Sequence, residues 1–137
     1  MPAGYSGTPL AKKLGIKPGS TVALLDAPAE WSVPELPADV RTKRARRSTS
    51  AFKSVDVVVA FCRNSSDVVG LLPLVTALQP AGSLWVAWPR KAAGHVSDIT
   101  DNLLREVLLP TGIVDVKVAA LDEDWSGLKF VWRKENR

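Results

Sequence analysis

The segment STVALLDAP, residues 20–28, decides the fold class of this chain. Its apolar run at residues 22–25 contains no polar residue, which is typical of a parallel strand buried on both faces. The proline-rich stretch that follows, residues 27–39, is expected to be loop. No glycine stands between the strand and Pro28. The turn therefore lacks the residue type that lets a ligand approach the backbone most closely.

Strand and helix signals alternate along the rest of the chain. A second apolar, β-branched run, residues 54–62, predicts a strand at the centre of the sheet. Two later segments alternate apolar and charged residues around a short turn, which predicts an antiparallel hairpin. The predicted strands lie over 21–26, weakly over 40–42 at the edge of the sheet, over the central run 54–62, over 83–88, and over 113–118 and 128–133 as a hairpin around a turn at 122–127. The predicted helices are one ended by Gly15, one capped by Ser65 or Ser66 with a kink or a late start at Pro73, and one from about Asp98 to Leu109.

This order of elements predicts an α/β fold with three layers and a mostly parallel, doubly wound sheet that ends in a C-terminal antiparallel hairpin strand. At 137 residues, the chain is long enough for one hydrophobic core and too short for two. We therefore expect a single domain over residues 1–137, with a short N-terminal helix at 8–15 and a basic loop at 41–50.

Composition narrows the class of protein. Hydrophobic residues make up 46% and charged residues 23%, which excludes a disordered or fibrous chain. The one cysteine, Cys62, cannot form an intramolecular disulfide. The N-terminus shows no signal-peptide pattern, and no run reaches the roughly 18 apolar residues of a membrane span. These features predict a cytoplasmic protein without a membrane partner.

Positive charge is concentrated in one segment. The formal net charge is +4, and the five basic residues within 41–47 more than account for it. Such a run is typical of contact with nucleic acid, whereas the absence of aromatic residues and of a nucleic-acid-binding motif favours a solvated, mobile loop. We expect this segment to bind nucleic acid weakly at most, and without sequence preference. The five residues are Arg41, Lys43, Arg44, Arg46 and Arg47.

Two segments resemble a known enzyme family. The stretch from Leu74 to Arg133, with the passage LQPAGSLWVAWP at 78–89 and the closing hairpin, resembles the second half of the class I S-adenosylmethionine methyltransferases. The segment LGIKPG, residues 14–19, resembles the approach to their cofactor strand. The resemblance implies a Rossmann-like, methyltransferase-like sheet. The chain departs from the family where the cofactor binds, because DAPAE at 26–30 replaces the glycine-rich motif and the basic run at 41–47 replaces the acid that holds the ribose. We therefore expect no cofactor.

A second resemblance covers almost the whole chain. The segments GYSGTPLAKKLG at 4–15, WPRK at 88–91, and DE at 122–123 followed by WSGL at 125–128 are similar to those of a bacterial family of small proteins of unknown function. This resemblance implies the same fold and brings no activity with it.

Polar residues gather where the predicted strands end. Ligands of open parallel sheets bind outside the carboxyl ends of the strands, so this edge is the candidate site. Arg63, Arg90 and Lys91 favour an anionic small molecule or protein partner. The alternative is the ordinary polar rim of such a fold. The candidate ligand-binding residues are Tyr5, Ser6, Asp26, Arg63, Asn64, Arg90, Lys91, Asp122, Glu123 and Trp125.

The five tryptophans are expected to serve the core rather than form a binding box. Trp85 and Trp88 differ in strand parity and therefore face opposite sides of the sheet. Trp125 is the exception, because the hairpin turn in which it is expected offers few core neighbours, and it would cover a ligand or a partner surface.

Catalytic and metal chemistry have less support. Cys62 and His95 with Asp98 or Asp122 could form a nucleophilic group on placement alone, but no nucleophile motif surrounds Cys62, which we expect in the core. One cysteine and one histidine offer no metal-ligand spacing. No catalytic residue and no metal ligand is therefore predicted.

The sequence favours a non-catalytic binding or interaction module on a degenerate methyltransferase-like fold. Two alternatives stay open. One is an S-adenosylmethionine-dependent methyltransferase, or another nucleotide-binding enzyme, with an atypical cofactor loop. The other is a nucleic-acid-associated protein that uses residues 41–47.

Overall fold

The computed structural model describes residues 8–137. The helices are α1 (Leu10–Leu14), α2 (Ser65–Val69) and α3 (Asp101–Leu108). The strands are β1 (Thr21–Leu25), β2 (Arg41–Ala45), β3 (Val57–Phe61), β4 (Ser83–Pro89), β5 (Ile113–Ala120) and β6 (Trp125–Trp132). Short 3₁₀ segments lie at Ser50–Phe52, Leu72–Ala77, Lys91–Ala93, Leu109–Thr111 and Lys134–Asn136. Within residues 8–137, none of the helices combines the length and the apolar character that a membrane span requires.

The strands form one sheet in the order β2-β1-β3-β4-β6-β5. The first four strands in this order are parallel, whereas β6 runs antiparallel to both of its neighbours. The chain passes from β1 to β2 on one side and then to β3 on the other. The topological switch point therefore lies between the carboxyl ends of β1 and β3. This topology confirms the predicted α/β fold, with its mostly parallel sheet and antiparallel C-terminal strand.

Apolar side chains at alternating strand positions form one cluster on each face of the sheet. Helices α2 and α3 pack on the first face, over Phe130. Helix α1 and the loop between β1 and β2 pack on the second face, over Phe61 and Trp85. Trp88 packs against the first cluster, which confirms that Trp85 and Trp88 face opposite sides.

Strand β2 confirms the weak edge strand expected at 40–42 and extends it to Ala45, which corrects the loop expected at residues 41–50. Strand β2 pairs with β1 along its whole length, although every one of its residues is exposed. An edge strand bonds to one neighbouring strand, and here both of its faces are exposed to solvent. It therefore forms from residues that show no apolar pattern. Charged side chains at such an edge also discourage pairing with other chains.

Two helices begin at residues other than those predicted. Helix α2 begins after Asn64, ahead of the predicted caps Ser65 and Ser66, because the Asn64 side chain accepts a hydrogen bond from an amide in the first turn. Helix α3 begins after Thr100, which caps it in the same way, so Asp98 lies before the helix. Asparagine, serine and threonine are all good caps, and the local sequence alone does not choose among neighbours.

Candidate functional site

Arg47, which lies two residues beyond β2, reaches across the carboxyl ends of β1 and β3. Its Nε donates a hydrogen bond to Asp26 Oδ2 at 2.8 Å, and its Nη atoms donate to the main-chain oxygens of Asp67 and Phe61. Nη2 also lies 3.2 Å from the Cys62 sulfur. The Arg47 side chain is only 15% exposed. The guanidinium therefore fills the crevice at the switch point.

A second arginine holds the turn after β1. Arg63 Nη1 donates to the Asp26 main-chain oxygen at 2.8 Å, and the Arg63 guanidinium lies 5.5 Å from the centre of the Trp125 ring. Asp26 has a φ of 54°, in the left-handed region that favours glycine. A non-glycine residue thus occupies this turn, and both its carboxylate and its carbonyl are bonded to arginines of the same chain.

Arg90 and Lys91, the residues predicted to face an anion, do not converge on an open site. Arg90 Nη1 donates to the main-chain oxygens of Asp122 and Glu123, each at 3.2 Å. Lys91 begins a 3₁₀ turn and is exposed. Arg90 therefore holds the β5–β6 hairpin turn, and the geometry does not support an anion between these two side chains.

The other predicted rim residues are placed as follows. Tyr5 and Ser6 lie outside the described residues. Asn64 is the cap of α2, and its Oδ1 accepts hydrogen bonds from the Asp67 amide at 3.0 Å and the Ser66 hydroxyl at 2.6 Å. The Asn64 side chain is thus bonded within its own turn.

Trp31, Phe61 and Trp125 form an aromatic cluster beside the β1 turn. The Phe61 ring meets each indole ring in a T-shaped contact, with centroid distances of 4.9 Å in both pairs. Asp122 Oδ2 accepts from Trp31 Nε1, and Asp122 Oδ1 accepts from the Trp125 amide, both at 2.8 Å. Trp125 is the first residue of β6 and packs against the second core cluster. This corrects its expected place in the hairpin turn.

A cavity of about 380 Å³ opens beside the aromatic cluster, at the N-terminal end of α1. The charged side chains that line it, those of Glu30, Asp122 and Asp124, are all acidic. Asp124 Oδ1 lies 2.9 Å from His95 Nε2, whereas Glu30 and Asp122 have no ion-pair partner among residues 8–137. The lining residues are Leu10, Pro28, Glu30, Trp31, Ser32, Pro34, Asp122, Asp124 and Trp125.

The pairing of Trp31 with Trp125 was the part of this cavity that sequence reasoning missed. Trp31 lies in the proline-rich loop, where no periodicity shows which way a side chain points. Two of the five tryptophans therefore line one cavity, an arrangement that the sequence analysis did not predict. Carboxylates that have no ion-pair partner among residues 8–137, next to an indole ring, suit an organic cation.

Cys62, His95 and Asp98 are not brought together as a catalytic group. Cys62 is fully buried, as predicted, and burial raises the pKa of its thiol to about 11, so that the thiol is protonated at neutral pH. His95 pairs with Asp124. The Ser65 hydroxyl and amide donate to Asp98 at 2.6 and 2.8 Å, and the hydroxyl bond holds the Asp98 pKa below its usual range. No group of metal-ligating side chains large enough to hold an ion occurs in the described part of the chain.

The basic residues of segment 41–47 divide into two sets. Arg44 donates to the main-chain oxygens of Pro28 and Trp31, both at 2.6 Å, and Arg47 fills the switch-point crevice. These two arginines hold the fold, so the segment is not the mobile loop that the sequence predicts. The residues whose side chains make no hydrogen bond or ion pair within residues 8–137 are Arg41, Lys43 and Arg46.

Comparisons with solved structures find proteins with a similar fold. A SAM-dependent methyltransferase from Aquifex aeolicus matches with a TM-score of 0.55 at 13% identity, over 88% of this chain and 86% of that chain. The fold is methyltransferase-like. The glycopeptide N-methyltransferase MtfA matches at 0.54 and 16% identity, over 90% and 87% of the two chains. A ribosomal protein L11 methylase from Lactobacillus delbrueckii subsp. bulgaricus matches at 0.51 and 13% identity, over 90% and 75%. No protein-family model and no curated protein matches the sequence.

These matches confirm the methyltransferase-like sheet that the resemblance of residues 14–19 and 78–89 implies. Identity at this level shows the fold alone. The chemistry of the methyltransferase-like domain therefore depends on its own residues. The most informative features are Arg47 in the crevice and the acidic, aromatic cavity.

Proposed function

We propose that this chain is a non-catalytic binding module on a methyltransferase-like sheet, which takes no S-adenosylmethionine in the crevice at its switch point. The observation that carries the proposal is the placement of Arg47. A cofactor in this crevice would displace a guanidinium bonded to Asp26, Asp67 and Phe61. Hydrogen bonds of charged groups stabilise by about 1.5–3 kcal/mol each, so displacing several of them removes most of the free energy of a micromolar ligand, about 8 kcal/mol.

S-adenosylmethionine is therefore expected not to bind at micromolar concentration. The test is calorimetric titration of the full chain with S-adenosylmethionine and, in parallel, with S-adenosylhomocysteine. We expect no heat of binding with either compound. A micromolar Kd for either would contradict the proposal and support an enzyme with an atypical cofactor loop.

The binding surface that we propose is the cavity beside the aromatic cluster. Two of its three carboxylates, those of Glu30 and Asp122, have no cationic partner within residues 8–137, and the indoles of Trp31 and Trp125 form part of its wall. An anion would meet repulsion here. An ammonium or guanidinium group with an apolar part gains Coulomb attraction and about 0.5–2 kcal/mol from a cation–π contact with Trp31. Arg63 already lies 5.5 Å from the centre of the Trp125 ring. The ligand class that we propose is therefore an organic cation.

Tetramethylammonium is a suitable probe, because it combines a positive charge with an apolar surface. We expect it to shift the indole N–H resonances of Trp31 and Trp125 in a nitrogen–proton NMR spectrum, with saturation in the millimolar range. The indoles of Trp85, Trp88 and Trp132 lie outside the cavity and serve as internal controls.

The matched variant for this titration is Glu30→Gln. Glu30 is exposed and makes no hydrogen bond or ion pair with the described residues, so the change removes one cavity charge and leaves the fold intact. It should weaken tetramethylammonium binding, and sodium acetate should shift none of the five indoles. Equal shifts at all five indoles, or none, would contradict the cavity as a cation site.

A further inference from the structure

A second cavity, of about 330 Å³, lies at the end of the sheet where β1, β3 and β4 begin, opposite the carboxyl ends of the strands. The C-terminal end of α1 reaches this edge, and the loop after it contributes Lys17. From the sheet, Lys129 of β6 and Ser83 of β4 line the same cavity. We call it the amino-edge cavity. None of its lining residues belongs to the cavity beside the aromatic cluster.

Lys129 lies directly opposite another lysine. The register of the β5–β6 pair places Lys117 across from Lys129, and cross-strand partners share one face of the sheet at about 5 Å between their Cβ atoms. Like charges in this position repel each other and destabilise the strand pair. Lys117 Nζ is turned toward the Lys13 main-chain oxygen, at 3.5 Å, at the end of α1.

The lysines near this cavity carry charges that no described carboxylate pairs with. Within residues 8–137, Lys17, Lys117 and Lys129 make no ion pair. One carboxylate, that of Asp56, lines the cavity, but its Oδ2 accepts a hydrogen bond from the Thr21 amide at 2.8 Å. The local net charge is therefore positive, with one lysine on the loop after α1 and one on each of the strands β5 and β6.

Ser83 adds a hydroxyl group to the lysines of the amino-edge cavity. The residue is only 7% exposed and lines the amino-edge cavity. Its hydroxyl makes no hydrogen bond within residues 8–137, although its main-chain amide bonds to Asp56. A hydroxyl at the wall of a cavity that bonds to no other side chain or main-chain group is available to a ligand or to water there.

The pKa of Lys129 reflects the positive charges that lie close to it. Partial burial lowers the pKa of Lys129, and the charges of Lys117 and Lys17 lower it further. A bound anion would relieve this repulsion and stabilise the protonated ammonium.

We propose that the amino-edge cavity binds a phosphate monoester, whose oxygens accept hydrogen bonds from the ammonium groups of Lys129 and Lys17 and from the Ser83 hydroxyl. Lysine ammonium groups bind phosphate as point charges with several donors, whereas planar carboxylates match the fork of arginine. A dianion also matches a cluster of three positive charges with one neighbouring carboxylate better than a monoanion does.

The experiment is a calorimetric titration of the full chain with glycerol 3-phosphate at constant ionic strength, set with sodium chloride. We expect saturable binding, and we expect Lys129→Met to weaken it at least tenfold. The same variant should unfold at a higher temperature than the native chain in chloride alone, because it removes the repulsion with Lys117. A lysine with a purely structural role would change the unfolding temperature in the opposite direction.

Two further variants distinguish phosphate binding in the amino-edge cavity from attraction to the positive charge of the whole surface. Ser83→Ala keeps the net charge and should still weaken phosphate binding, while Lys53→Met removes a charge at an exposed position outside the cavity and should leave binding unchanged. Equal effects of Lys53→Met and Lys129→Met would overturn the proposal. Tighter binding of a short single-stranded oligonucleotide than of glycerol 3-phosphate would also overturn it, because the lysines would then bind a phosphodiester backbone.

Discussion

Replacing Arg47 with alanine is expected to lower the free energy of unfolding by about 3 kcal/mol, because it breaks a partly buried ion pair and several hydrogen bonds of one charged group. The change leaves the Asp26 carboxylate and the main-chain oxygens of Phe61 and Asp67 without their donor. Urea denaturation monitored by tryptophan fluorescence measures the loss. Arg47→Lys should restore little of it, because one ammonium cannot span the several acceptors that the planar guanidinium reaches.

The control for Arg47 comes from its own segment. Arg41 and Lys43 carry the same charge but make no side-chain hydrogen bond or ion pair within residues 8–137, so Arg41→Ala and Lys43→Ala should each stay within about 0.5 kcal/mol of the native chain. A second measurement is the rate of Cys62 alkylation by iodoacetamide under native conditions. Arg47→Ala should speed it, because the guanidinium lies against the sulfur. If Arg47→Ala behaves like Arg41→Ala in both measurements, Arg47 does not close the crevice.

Replacing Phe61 with alanine is expected to cost about 4 kcal/mol, as for other fully buried aromatic side chains. Phe61 is fully buried and contacts both Trp31 and Trp125, so its loss leaves a cavity in the core and frees both indoles. Urea denaturation gives the energy, and near-ultraviolet circular dichroism reports the loosened indoles. Phe61→Leu is the milder variant if the alanine protein does not fold.

Phe52→Ala is the matched control for Phe61. Phe52 is equally buried but belongs to the cluster on the other face of the sheet. Its loss should destabilise the chain to a similar extent without changing the Trp31 and Trp125 indole resonances or the response to tetramethylammonium. If both variants alter the two indoles alike, the aromatic cluster is not a local unit and the proposed cavity has no rigid wall.

Local patterns of apolar residues were sufficient to place most of the sheet. The runs that became β1, β3 and β4 are apolar because each strand is covered on both faces, and this burial is visible in the sequence as continuous hydrophobicity. Strand parity likewise separated Trp85 from Trp88, because side chains of neighbouring positions alternate between faces. Gly15 ends α1 in the left-handed conformation, with φ of 77°, which is the usual glycine signal for a helix end.

Sequence patterns failed where a structure depends on a distant partner. Strand β2 carries no apolar pattern, since it takes its hydrogen bonds from β1 and exposes its side chains. The contacts of Arg47 join residues on three segments far apart in the chain, so no spacing rule predicts them. The register that sets Lys117 opposite Lys129 follows an irregularity between Asp115 and Lys117, and a shift of one residue would have turned these side chains to opposite faces.

The sequence by itself determined the order of strands and helices along the chain, the buried faces of the central strands, and the absence of a glycine loop after β1. Each of these depends on the chemistry of neighbouring residues. Tertiary structure alone decided that Arg47 occupies the switch-point crevice, that Trp31 joins Trp125 beside three carboxylates, and that the lysines meet at the other edge of the sheet. The reason is physical: burial and backbone pairing act on local runs of residues, whereas the meeting of long side chains depends on how loops and edge strands are brought together in three dimensions.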